Sequence, residues 1–217
     1  MDRELIGKTE SFLRDKLAGG AYMAAHPAEL RYRLEHSFRV ANICLLIARR
    51  EGFEETEAVI AGLLHDIAYC EEFGETGWKE HGRRSAAIAR PFLRSLGLRE
   101  DRVGDICYGI AIHVDDEADF PGERTPFALS VGDADNIDRF DVYRIHETLS
   151  RDGFLSMSLS EQRRTVEERL RRLRSLYDME LGTRAAAELW RERLDFTVAF
   201  FEKLAAQLAS SENVIDA

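Results

Sequence analysis

Apolar residues recur every three or four positions along nearly the whole chain, and only four prolines interrupt them. That period is helical, because it sets side chains on one face of a 3.6-residue turn. Leu34, Phe38, Ala41, Leu45 and Ala48 make one such stripe; Trp190, Leu194, Phe201, Leu204 and Leu208 make another. No stretch alternates apolar and polar residues as a half-buried strand does, and no internal repeat is visible. The expected fold class is all-α, a helical bundle.

Start and stop signals divide the pattern. A first helix is expected over residues 2–17, ended by Gly19-Gly20, and a second over 30–50, ended by Gly52. A third covers 54–70. A fourth covers 79–96, with Pro91 set to kink or split it. A fifth covers 101–114. Thr125-Pro126 supplies a capping hydroxyl and a proline at the first helical position, so a helix follows over 127–140. Ser158 and Glu161 match a capping box, opening a helix whose stripe is Val166, Leu170, Leu173 and Tyr177. The last helix is expected over 183–208, with residues 210–217 fraying beyond it. The arginines between 163 and 174 are interleaved with Glu and read as a solvated face.

Composition narrows the function classes. At 217 residues one domain is favoured, and 45% hydrophobic with 32% charged residues fits a soluble protein. A net charge of −10 argues against broad nucleic-acid binding but leaves room for a local basic pocket. No apolar run reaches the roughly 18 residues of a membrane span, and the polar start MDRELIGKTE argues against a secretory signal. Cys44, Cys70 and Cys107 form no CxxC pair, so free thiols in a reducing cytoplasm are expected.

The chemistry concentrates in histidines. AGLLHDIAYC, residues 61–70, carries His65 and Asp66 side by side, about 100° apart on a helix. His36, His81 and His113 each fall on a different expected helix, and Asp133 and Asp135 on a fifth. Helical bundles build metal sites from side chains on facing helices, and one His per helix is what such a site needs. Asp133 and Asp135 lie about 200° apart around a helix, so only one can face it, and spacing leaves the choice open. His26 and His146 have no such company and are expected to be non-ligands. Imidazole and carboxylate without thiolate suits iron, manganese, cobalt, nickel or zinc better than magnesium.

His36 in HSFRVA, His65-Asp66 in AGLLHDIA and the acid of ADNIDRF, in that order, resemble the HD superfamily of metal-dependent phosphohydrolases over about residues 30–140. With His81 and His113 the pattern is similar to the two-metal subset, which includes bacterial diadenosine-polyphosphate hydrolases. The resemblance implies a single HD-type domain over residues 1–217, with its motif core at about 30–140. Residues 141–217 form a C-terminal helical extension that resembles nothing nameable. It implies that His36, His65, Asp66 and a later Asp hold one divalent ion. Asp66 bridges to a second, which His81 and His113 also bind. The family pattern, a ligand after Ala and before x-Ile-acid, selects Asp135.

The implied reaction is cleavage of a phosphate ester or anhydride of a nucleotide or dinucleotide by a metal-activated water. Asp66, Arg39 and Arg84 are the catalytic candidates. Each arginine stands three residues after a histidine, on its helical face, and guanidinium forks suit phosphate. Arg139, four after Asp135, reads as a helix salt-bridge partner. Tyr69, Phe73 and Trp78 wall the pocket or join the core. Alternatives are a one-metal 5'-nucleotidase-like enzyme, with His81 and His113 idle, and a non-catalytic nucleotide-sensing module. The long C-terminal helices either pair in a homodimer or fold back on the core.

Overall fold

The helical period shapes the whole computed structural model, which describes residues 1–73 and 77–212. Among the described residues there is no strand. The ten α-helices among them are α1 (Arg3–Ala18), α2 (Ala21–Ala25), α3 (Pro27–Glu51), α4 (Glu55–Leu64), α5 (His81–Ser95), α6 (Glu100–Ile112), α7 (Pro126–Ile137), α8 (Val142–Arg151), α9 (Leu159–Arg174) and α10 (Arg184–Ala209). They form two units. One comprises Met1–Asp138 with Leu181–Ala186, the other Arg139–Glu180 with the chain from Ala187 onward.

Local chemistry sets the ends. Asp2 caps α1 by accepting from the amides of Glu4 (2.9 Å) and Leu5 (3.1 Å). Gly52, in the left-handed region at φ 76°, stops α3. Thr125 Oγ1 accepts from Ala128 N at 3.1 Å, with Pro126 in the first turn of α7. Pro91 neither splits nor ends α5. The third expected helix is shorter than its apolar run. α4 ends at Leu64, and Ile67–Cys70 continues as a 3₁₀ turn. The helices α2 and α8 were not expected. The stripe Val142, Ile145 and Leu149 was the available signal for α8.

In the first unit α3 packs on α4 and α7, and α6 packs on α4, α5 and α7. Leu13, Leu17, Ile60, Leu64, Ile67, Leu93, Ile106 and Ile110 are fully buried among them. Each such side chain contributes about 1.5–3 kcal/mol over an exposed one. Residues Leu181–Ala186 join this unit through Gly182 N, which donates to Asp133 Oδ2 at 2.9 Å, and Ala185 N, which donates to Glu51 at 2.6 Å.

Two glycines set how closely these helices approach. A Cβ on Gly62 of α4 would lie 2.6 Å from the Ala41 Cα of α3. A Cβ on Gly82 of α5 would lie 2.5 Å from the Ala111 carbonyl oxygen of α6. Both obstacles are backbone, so neither yields by rotating a side chain.

In the second unit the capping box forms as expected. Ser158 Oγ accepts from Glu161 N at 3.4 Å, and Glu161 accepts from Ser158 N at 2.8 Å. Tyr177 falls beyond α9 in a 3₁₀ turn, half-buried, and its hydroxyl donates to Asp195 at 2.7 Å. The arginines of α9 are more than a solvated face. Arg163 donates to the Leu208 carbonyl at 2.8 Å, tying off the end of α10, and Arg169 lies over the Phe201 ring. Of the expected fraying tail, residues 213–217 lie outside the described residues.

The close approaches are testable by calorimetry or thermal melts. Gly62→Ala and Gly82→Ala are each expected to cost about 1–3 kcal/mol, as overpacked sites do. Gly104→Ala, inside α6 with nothing within 4 Å of an added Cβ, is expected to stabilise by about 0.5–1 kcal/mol.

Candidate metal centre

Three of the four interior histidines sit at helix ends, where backbone groups lack intrahelical partners. His65 follows the last residue of α4, and its Nδ1 donates to the Gly62 carbonyl at 2.8 Å. His113 follows α6 in the same way, with Nδ1 donating to the Ile110 carbonyl at 2.7 Å. His81 opens α5, and its Nδ1 donates to the Trp78 carbonyl. His36 lies mid-helix in α3, and its Nδ1 donates to Asp138 Oδ2 at 2.9 Å. An oxygen acceptor at Nδ1 assigns the proton to that nitrogen, so the neutral ring keeps a lone pair on Nε2.

All four Nε2 atoms point at one carboxylate. Asp66 Oδ2 lies 3.6 Å from His36 Nε2 and 3.6 Å from His65 Nε2. Asp66 Oδ1 lies 3.1 Å from His81 Nε2 and 3.6 Å from His113 Nε2. The Nε2 atoms pair off, His36 with His65 at 3.2 Å and His81 with His113 at 3.1 Å. Asp135 Oδ1 joins the first pair, 3.1 Å from His36 Nε2 and 3.9 Å from His65 Nε2. One carboxylate thus divides its two oxygens between two donor groups.

Asp133 turns elsewhere, accepting from Gly182, and burial pushes it up to about 6. His26 is exposed and bonded to the Tyr22 carbonyl, and His146 is exposed in the second unit. Arg139 also belongs to that unit.

These residues fit divalent cations. His36, His65 and Asp66 form one group with ligand atoms within 4.8 Å of one another, and Asp66, His81 and His113 form another. Lone pairs facing each other at 3.1–3.2 Å repel unless a positive charge lies among them. Protons are what the chain itself can offer. Burial alone would strip the proton from His36, but hydrogen bonds to Asp135 and Asp138 outweigh it and carry the ring up to about 10. Burial holds His65 down, to about 4, with Asp66 opposing. Burial also works against the Asp66 carboxylate, but the surrounding imidazoles hold it well below the usual range.

Residues 33–142 match the family model described as HD domain. The chain belongs to the HD domain family. Three solved structures share the fold. An HD-superfamily hydrolase from Bacillus thuringiensis is 20% identical, with a TM-score of 0.68, covering 97% of this chain and 100% of that one. A predicted HD-superfamily hydrolase from an uncultured Thermotogales bacterium is 22% identical, with a TM-score of 0.63, covering 91% of each chain. Bacillus subtilis YpgQ, in complex with ADP, is 16% identical, with a TM-score of 0.57, covering 94% of this chain and 95% of that one. Among curated proteins none matches.

Around the HD donors stand two residues that sequence reasoning passed over. Asp138, three after Asp135 and so on the same helical side, backs His36. Arg39 forks onto Asp138, Nε to Oδ1 at 2.8 Å and Nη2 to Oδ2 at 3.1 Å. The nearest task of Arg39 is therefore to hold the carboxylate that orients His36. Arg33, three before His36, donates to Asp66 Oδ2 at 3.1 Å and stacks 3.4 Å from the Tyr69 ring centroid. Arg84 pairs with Glu71 (3.4 Å) and Glu80 (3.8 Å), half exposed, and lies over the Phe73 ring. Tyr69 and Phe73 lie against His81, and Trp78 is exposed.

The Arg39–Asp138–His36 chain predicts a metal-affinity effect. Partners that orient a ligating histidine are typically worth 10–100-fold in affinity. Asp138→Asn is expected to weaken manganese or zinc binding by about that factor in chelator competition, with the helical signal intact.

Proposed function

We propose that the chain is a metal-dependent phosphohydrolase that cleaves a phosphate ester or anhydride of a nucleotide or dinucleotide, using two divalent cations. The division of the Asp66 oxygens between His36–His65 and His81–His113 carries this reading. His36, His65, Asp66 and Asp135 would hold one cation; Asp66, His81 and His113 would hold the other. Bound there, such cations supply an activated water and neutralise charge developing on phosphoryl oxygens. Imidazole and carboxylate donors favour iron, manganese, cobalt, nickel or zinc over magnesium.

The chain's own residues prepare that chemistry. The carbonyls of Gly62 and Ile110 fix His65 and His113 with Nε2 unprotonated toward the centre. Arg39 and Asp138 keep His36 turned the same way, as positioning residues. Arg33 offsets negative charge on Asp66 from outside the donor set. Arg84, half exposed beside His81 in sequence, is the proposed contact to substrate phosphate. Every proposed donor lies within the family-matched residues 33–142. ADP bound by YpgQ supports a nucleotide substrate, and the free cysteines support a reducing cytoplasm.

Purified chain loaded with manganese or iron is expected to release phosphate from some member of a panel of mononucleotides, dinucleoside polyphosphates and phosphomonoesters. His65→Ala and Asp66→Ala are each expected to lower kcat/KM at least about a thousandfold, roughly 4 kcal/mol. Activity untouched by His81→Ala would favour the one-metal enzyme. Tight nucleotide binding with no release at any metal loading would favour the sensing module.

A further inference from the structure

The second unit contains a cavity of about 490 Å³, within the range of small-molecule sites. Five arginines line it: Arg139, Arg144, Arg151, Arg169 and Arg172. Glu168 is the acid among the lining residues. Arg144 and Arg151, seven apart, share a face of α8, and Arg169 and Arg172, three apart, share a face of α9. In a chain of net charge −10, this density of one sign is local.

Internal carboxylates pair with some of these arginines. Glu147 is shared by Arg151 (3.2 Å) and Arg144 (3.7 Å), and Asp152 by Arg169 (3.0 Å) and Arg151 (3.4 Å). Arg172 has no carboxylate within ion-pair distance among the described residues. Arg169 is half-buried over Phe201. Burial, then Arg151 and Arg172, pull it below the usual arginine range despite Asp152. A bound anion would relieve that repulsion. Planar guanidinium forks lining one cavity match phosphate oxygens better than a single carboxylate.

We infer that this cavity of the second unit binds a small phosphorylated ligand through Arg151, Arg169 and Arg172. The site uses none of the metal-centre residues, and its test needs no turnover.

Inorganic pyrophosphate is the probe, titrated calorimetrically into the full chain and into Arg151→Glu/Arg172→Glu. Both replaced side chains are exposed, so the fold is expected to survive, as circular dichroism will check. Asp66→Asn disables the metal centre as a competing phosphate site. The expected result is saturable, salt-sensitive binding to the native chain and to Asp66→Asn, weakened at least about ten-fold by the double charge reversal. Absent binding in the native chain, or binding indifferent to the double reversal, overturns the proposal. So does citrate binding as tightly as pyrophosphate.

Discussion

Four imidazole nitrogens face one buried carboxylate, and much of the first unit is arranged to make that tolerable. Asp66 is 5% exposed and His65 is not exposed at all. Burying charges this close together is costly unless opposite charge lies among them. The chain by itself answers with a proton on His36 and the guanidinium of Arg33 against Asp66. Divalent cations answer the same need more fully, and without them the donors repel in pairs. The same crowding of donors that is costly in a buried core is what fits the site to divalent cations.

Precision at the centre comes from backbone. His65 and His113 are aimed by carbonyls that a helix end leaves without a partner, so terminating α4 and α6 at these positions serves both helix and site. Gly62 stands three residues before His65, and Gly82 one after His81. Each lets two helix backbones close to a distance that any side chain would forbid. Helix packing and ligand geometry are therefore one constraint: widening α3 from α4, or α5 from α6, separates the donor pairs.

The all-α class was legible because a helical period survives sequence variation on the exposed face. Helix ends were less so. The apolar run through Ile67 and Ala68 continues past His65, and nothing in that run reveals that the backbone tightens to a 3₁₀ turn. α8 was missed because its stripe is short, between Asp141 and Gly153. Order and context singled out the histidines and Asp135, which the fold brings together, but not the contacts of Asp138 and Arg39 behind His36. A second carboxylate three residues on is commonplace in sequence and becomes specific only when helix packing places it behind His36. The arginine-lined cavity was illegible for a related reason. Alternating Arg and Glu on α9 looks like a solvated face until α8 supplies arginines opposite.

Anomalous diffraction from crystals grown with manganese tests the central claim most directly, because it locates ions independently of turnover. The account predicts two peaks, one on each side of the Asp66 carboxylate, the first among His36, His65 and Asp135 and the second at His81 and His113. No peak at Asp66, or manganese bound only away from these side chains, would contradict it.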